Sequence, residues 1–326
     1  MNQHRAASAS APATAAPRAG PMSAVHWALV LALALIWGGS FFFNKVLLGA
    51  LEPMTIVLGR VGLAALALLA VIYATGGRLP LTMRAWQAFA AMSVLNNLLP
   101  FALILYGQKE IASGLAAILN ATTPLFTAVL AHLVSPGGGG ERLAAHRLAG
   151  VLVGLAGVAV MIGPDVLVDG LGGSVLAQLA VLGAALCYGF SGIYGRRLAT
   201  LGIAPVTAAA GQLTTSTILV LPIALLVDRP WTLPAPALET WAALLGLALI
   251  STALAYVIFF RLLSGAGAVN TALVTLLVPV TALMLGTLAL GEAFTLRQAA
   301  GMAVILLGLV VTDGRALAIF AAGRRA

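Results

Sequence analysis

The side chains of this 326-residue chain that could do chemistry are polar groups spaced at helical turns inside long apolar runs. Trp37, Ser40 and Asn44 fall at i, i+3 and i+7 and share one helix face. Tyr188 and Ser191 repeat the first two of them, and Thr252 stands one turn from Tyr256 with Ser251 beside it. Asn270 and Thr271 precede Thr275 by about a turn, and Asn96, Asn97, Asn120, Thr123 and Arg60 complete the set. The chemistry open to such groups is recognition: a few hydrogen bonds and one cation that orient a small solute in an apolar pocket. A single Ser or Thr reads equally well as glue between helices, at roughly 0.6 kcal/mol per bond. Buried asparagines are costlier, which favours their lining a wet cavity.

Three prolines bear on the same positions. Proline lacks an N–H and clashes with the carbonyl four residues earlier. Pro100 therefore frees the carbonyl of Asn96, Pro124 that of Asn120 and Pro279 that of Thr275. A kink, a freed acceptor and a polar side chain then coincide at one depth, as at broken transporter helices.

Enzymatic signatures are missing. The chain has no His-Glu-x-x-His, no Gly-x-Ser-x-Gly elbow and no pair of membrane aspartates, and its one cysteine, Cys187, excludes a Cys-x-x-Cys redox pair. No metal and no cofactor are expected. Among charges inside apolar runs, Arg60 and Lys45 either snorkel to the interface or form a vestibule attracting a carboxylate or phosphate, with Glu52 as an alternative partner of Arg60. No Asp or Glu falls at the middle of an apolar run, which argues for a facilitator or for coupling through His132 or Glu110.

The elements that position these residues follow from composition. With 61% hydrophobic residues, 8% charged and a mean hydropathy of +1.08, the apolar surplus must face lipid. The net charge of +8 comes from scattered single cations and not from a nucleic-acid patch. Apolar stretches at about 20 residues per span predict ten helices, near 27–48, 54–75, 84–106, 112–134, 146–163, 175–195, 204–227, 238–262, 268–290 and 295–312. With the N-terminus inside, cations concentrate in the inner segments, and only Lys109, Arg229 and Arg297 fall in outer loops. The positive-inside rule then puts both termini in the cytoplasm.

An internal repeat fixes the architecture. Trp37-Gly-Gly-Ser40 returns as Tyr188-Gly-Phe-Ser191, 151 residues on, which also sets Lys45 on Arg196, while Pro124 and Pro279 stand 155 apart. Glu141 to Gly163, after the extra Gly137 to Gly140, matches Glu292 to Gly314. Five helices per copy make the second copy enter the bilayer upside down. The predicted fold is an all-α membrane protein of ten transmembrane helices in two inverted five-helix repeats. Its expected parts are a disordered tail over 1–24, repeats over 25–164 and 165–314, and a cytoplasmic tail over 315–326. Gly150-x-x-x-Gly154 predicts close helix contact, within one chain or across a dimer.

The run Leu35 to Lys45, the stretches from Pro124 and Pro279, and the step Leu290-Gly291-Glu292 before a Gly-rich helix resemble the EamA-type members of the drug/metabolite transporter superfamily, over about residues 25 to 314. The resemblance implies a five-plus-five inverted repeat and export of a small metabolite such as an amino acid, a purine or a similar amphiphile. It also implies a central cavity lined by helices 1, 3, 4, 6, 8 and 9. A nucleotide-sugar or sugar-phosphate carrier is the alternative, with an intramembrane enzyme or a receptor further off. Expected partners are the bilayer and the solute, with no nucleic acid, in a monomer or homodimer. The excess of Arg over Lys, with much Ala and Gly, suggests a GC-rich bacterial genome and hence an inner membrane.

Overall fold

A computed structural model describes residues 22–134, 145–163 and 173–313, and every regular element among them is helical. The Gly137 to Gly140 insertion, Glu141, Asp169, residues 1–21 of the first predicted tail and all of the second lie outside the described residues, while Ser23 and Ala24, expected in the first tail, begin a helix. Among the described residues, eight helices are long and apolar enough to cross a membrane, and two more are shorter apolar helices.

In chain order, α1 is Ala24–Leu48, begun by Ser23, whose hydroxyl accepts from His26 N. Next come α2, Pro53–Ala74, and α3, Met83–Glu110. Two pieces, Ser113–Asn120 and Thr123–Val134, make up α4. Then follow α5, Ala145–Ile162, α6, Gly173–Thr200, and α7, Pro205–Val227. The eighth, α8, runs from Leu238 through Gly267 to Thr271, α9 is Leu273–Leu290 and α10 is Leu296–Asp313. Proline opens both α2 and α7, where its missing N–H costs nothing and its fixed φ suits a first turn.

Three interruptions shape the centre. A wide i→i+5 segment spans Ser93–Leu98 within α3, and another spans Gly246–Leu254 within α8. Such segments mark functional sites more often than chance. The third breaks α4 at Ala121 and Thr122, so Pro124 sits in the first turn of a new helix. Pro279, expected to kink its helix likewise, lies inside an uninterrupted α9.

Packing pairs the two halves. The partners are α5 with α10, α2 with α7, α1 with α9, and α6 with both α3 and α4. The α5 and α10 backbones nearly touch: a Cβ added at Gly308 would lie 2.5 Å from Gly154 N and 2.7 Å from Gly150 O. The predicted small-residue contact is thus made inside the chain. Gly38 is as tightly held, since a Cβ there would sit 2.8 Å from Ala282 N on α9.

Candidate functional site

The interrupted helices surround a cavity of about 800 Å³. Trp37, Ser40 and Asn44 reach it from α1, Arg60 from α2 and Asn96 from α3. Asn120 and Thr123 come from the α4 break, Tyr188 and Ser191 from α6, Thr252 and Tyr256 from α8, and Thr275 from α9. Three expected liners do not take part. Asn97 is fully buried behind the wall, where its amide donates to Ser216 Oγ at 2.9 Å and its oxygen accepts from Tyr256 at 3.1 Å. Asn270 and Thr271 follow the kink at Gly267 (φ 81°) and spend their polar atoms on the carbonyls of Ala266 and Gly267.

The wide segments explain how neighbours along a helix serve two purposes. An extra residue per turn lets Asn96 face the cavity while Asn97 anchors α3 to α7. Asn96 Nδ2 donates to the Tyr256 hydroxyl at 2.8 Å, and Asn96 Oδ1 accepts from Ser191 at 3.0 Å. In α8, Thr252 Oγ1 donates to the carbonyl of Leu247, five residues back, and accepts from Arg60 Nε at 2.9 Å. The freed carbonyl of Asn120 accepts from Thr123 Oγ1 at 2.8 Å.

Arg60 dominates the electrostatics. It is 7% exposed, its guanidinium carbon lies 3.7 Å over the centre of the Phe101 ring, and no other charged side chain is among the described lining residues. Its suggested partner Glu52 instead pairs with Lys109 at 2.8 Å. Lys45 is not among the described lining residues and donates to the carbonyls of Gln108 and Ile111 at 2.7 and 3.3 Å. A cation thus caps the C-terminal end of α3, and an anion caps the start of α4, because Glu292 accepts from Ser113 N at 2.9 Å and from Ser113 Oγ at 3.0 Å. Together with the bond from Asn44 to Gln108, 2.9 Å, these contacts gather at one end of the lining. At the other end it runs out past Gly195, Ile203, Pro205 and Leu263.

Gln212, which lines the cavity from α7, and Gln108, which bonds Asn44 and the carbonyl of Phe41, were missed by the sequence reading. A signal for Gln212 existed in the repeat register, since it stands as far beyond Pro205 as Arg60 does beyond Pro53.

The profile of the EamA-like transporter family matches this chain twice, over residues 25–163 and 175–312. The chain belongs to that family. The double match makes this EamA protein a duplicated unit, and its composition and spans make it a multi-pass membrane protein. A Bacillus subtilis (strain 168) protein named as an uncharacterized transporter, YoaV, is 25% identical over 285 residues, covering 86% of this chain and 94% of its own. YedA of Escherichia coli (strain K12), named as an uncharacterized inner membrane transporter, is 27% identical over 296 residues, 88% of this chain and 90% of its own. A WAT1-related chloroplastic protein of Arabidopsis thaliana, At3g02690, is 24% identical over 302 residues, 89% of this chain and 69% of its own. The fold also matches that of a solved crystal structure with a TM-score of 0.62 and 19% identity, over 88% of this chain and 97% of that one.

Proposed function

We propose that this EamA protein is a secondary transporter that exports a small organic anion or zwitterion through the central cavity by alternating access. The observation that carries the reading is Arg60, a buried cation with no acidic neighbour among the described lining residues of an 800 Å³ cavity. Desolvating a charge without a counter-charge is expensive, and a carboxylate on the cargo offsets that cost. Aromatic rings at Trp37, Tyr256, Phe259 and Phe260 supply the apolar remainder of the pocket. Amino acids and similar amphiphilic metabolites meet this description better than neutral purines do. Among the described lining residues, no His, Asp or Glu stands beside the serines as a base.

In the topology we propose, ten spans form two inverted five-helix repeats, with both termini in the cytoplasm of a bacterial inner membrane. The cavity then opens to the cytoplasm, and the Lys45, Gln108 and Glu292 contacts close its outer mouth, the loading state of an exporter. The test is uptake and efflux in membranes from cells expressing the protein, normalised to surface-labelled protein. Asn120→Ala and Thr275→Ala are expected to lower transport per molecule. Activity that follows protein abundance alone would remove the cavity from the transport path.

A further inference from the structure

The second half of the cavity holds an uncharged counterpart of Arg60. Pro53 opens α2 and Pro205 opens α7, and Arg60 and Gln212 stand at the same distance beyond those prolines. The repeat register therefore sets an amide in one copy where the other has a guanidinium. Gln212 is 3% exposed and lines the cavity, and its backbone carbonyl accepts from Ser93 and Ser216, at 2.6 and 2.8 Å, which fixes its place on α7. Its side chain lies against the Tyr256 hydroxyl, which also feels the charge of Arg60. Gln212 Oε1 has no hydrogen-bond partner, and neither have Asn44 Oδ1 and Asn120 Oδ1 on two other lining helices. Among the fully buried side-chain atoms of the described lining residues, those without a partner are all amide acceptors.

We propose that Gln212 sets the charge of the cargo: the cavity takes a solute with one anionic group, seated on Arg60, and with hydroxyl or N–H donors for the amide oxygens. It refuses a solute whose second pole is also anionic. One guanidinium neutralises one carboxylate. A second carboxylate would be stripped of water opposite amide oxygens that carry partial negative charge, a repulsive element against the wrong ligand. A donor-bearing pole instead satisfies acceptors that are otherwise left unpaired in the interior. The inference rests on the reading of Arg60 as an anion seat, and the experiment separates the two.

Thermal unfolding of the purified full-length protein is followed against gluconate, glucarate and hexanoate. Glucarate replaces the terminal hydroxymethyl of gluconate with a second carboxylate, and hexanoate keeps one carboxylate but has no donors. Wild type is expected to bind gluconate at least about tenfold more tightly than either of the others. Gln212→Arg is expected to favour glucarate over gluconate by a similar factor, and Gln212→Leu to lower the gluconate to hexanoate ratio several-fold, with Asn44 and Asn120 keeping the remainder. Equal or tighter binding of glucarate by wild type, no stabilisation by any of the three, or an unchanged ratio in folded Gln212→Arg overturns the proposal. Where Gln212→Arg does not fold, the Gln212→Leu ratio decides. Arg60→Gln tests the anion seat itself: stabilisation by gluconate that survives this change overturns that reading, whatever Gln212 does.

Discussion

Arg60 shows what a single residue can and cannot reveal in sequence. Its position in an apolar run marked it out, but three partners were open to it, and only the folded neighbours exclude Glu52, which lies against Lys109. Thr252 and Phe101, its partners in space, are 192 and 41 positions away, too far for any local pattern. Arg60→Ala is expected to lower transport of an anionic cargo on the order of 10- to 100-fold. Arg60→Lys should keep part of the activity, since an ammonium retains the charge and loses the planar fork. Initial rates per surface-labelled molecule check both, and full activity in Arg60→Ala ends the role of this residue in recognition. Glu52→Ala, by contrast, removes a pair whose members are 45% and 41% exposed and should shift stability by less than about 1 kcal/mol. Glu292 differs in kind, because its carboxylate accepts from a helix N-terminus. Glu292→Ala leaves Ser113 N without its partner and should cost about 1 kcal/mol, read as a lowered unfolding midpoint that Glu292→Gln restores in part.

At the scale of elements, helix existence was legible throughout and helix interruption was not. Runs of Leu, Ala and Val between charges announce spans by length alone, and the described helices begin and end within a few residues of the expected bounds, apart from α6, which runs on to Thr200, α8, which runs on to Thr271, and α9, which starts at Leu273. Prolines misled because their effect depends on neighbours: α4 breaks just before Pro124, whereas α9 carries Pro279 without a break. The wide segment of α3 comes just before Pro100, which frees the carbonyl of Asn96, but that of α8 has Ala255 at the equivalent place, and no sequence rule marks it. The extra residue in α3 is why Asn97 does not stand beside Asn96 on the cavity wall, where it was expected. Glycine spacing was more informative, since Gly150, Gly154 and Gly308 do bring α5 and α10 together. Gly308→Leu should push these helices apart and destabilise by about 1–3 kcal/mol, measured by thermal unfolding in detergent. An unfolding midpoint equal to wild type would mean that the pair yields without strain.

For the whole molecule, the repeat was visible in sequence as paired motifs, and the double family match expresses the same duplication. Orientation is the part open to direct test. In a protein freed of Cys187, a cysteine in the α7 to α8 loop should react from outside intact cells. Asp228 belongs to that loop, but its carboxylate accepts from Thr55 N at 2.6 Å, so Trp231, 67% exposed, is the cleaner position. Labelling at Trp231→Cys only after permeabilisation would reverse the proposed topology. The two wide segments carry a consequence of another kind. The 155-residue offset that sets Pro124 on Pro279 also sets Asn96 and Asn97 on Ser251 and Thr252, so both copies hold their extra residue at matching depth. One insertion that preceded the gene duplication accounts for both, whereas two later ones would have to strike the same register independently. The widened backbone therefore belongs to the repeated unit itself and recurs in both of its copies. Arg60 and Gln212, equally far beyond Pro53 and Pro205, are where the likeness between the copies fails, and that difference gives the chamber its electrical polarity.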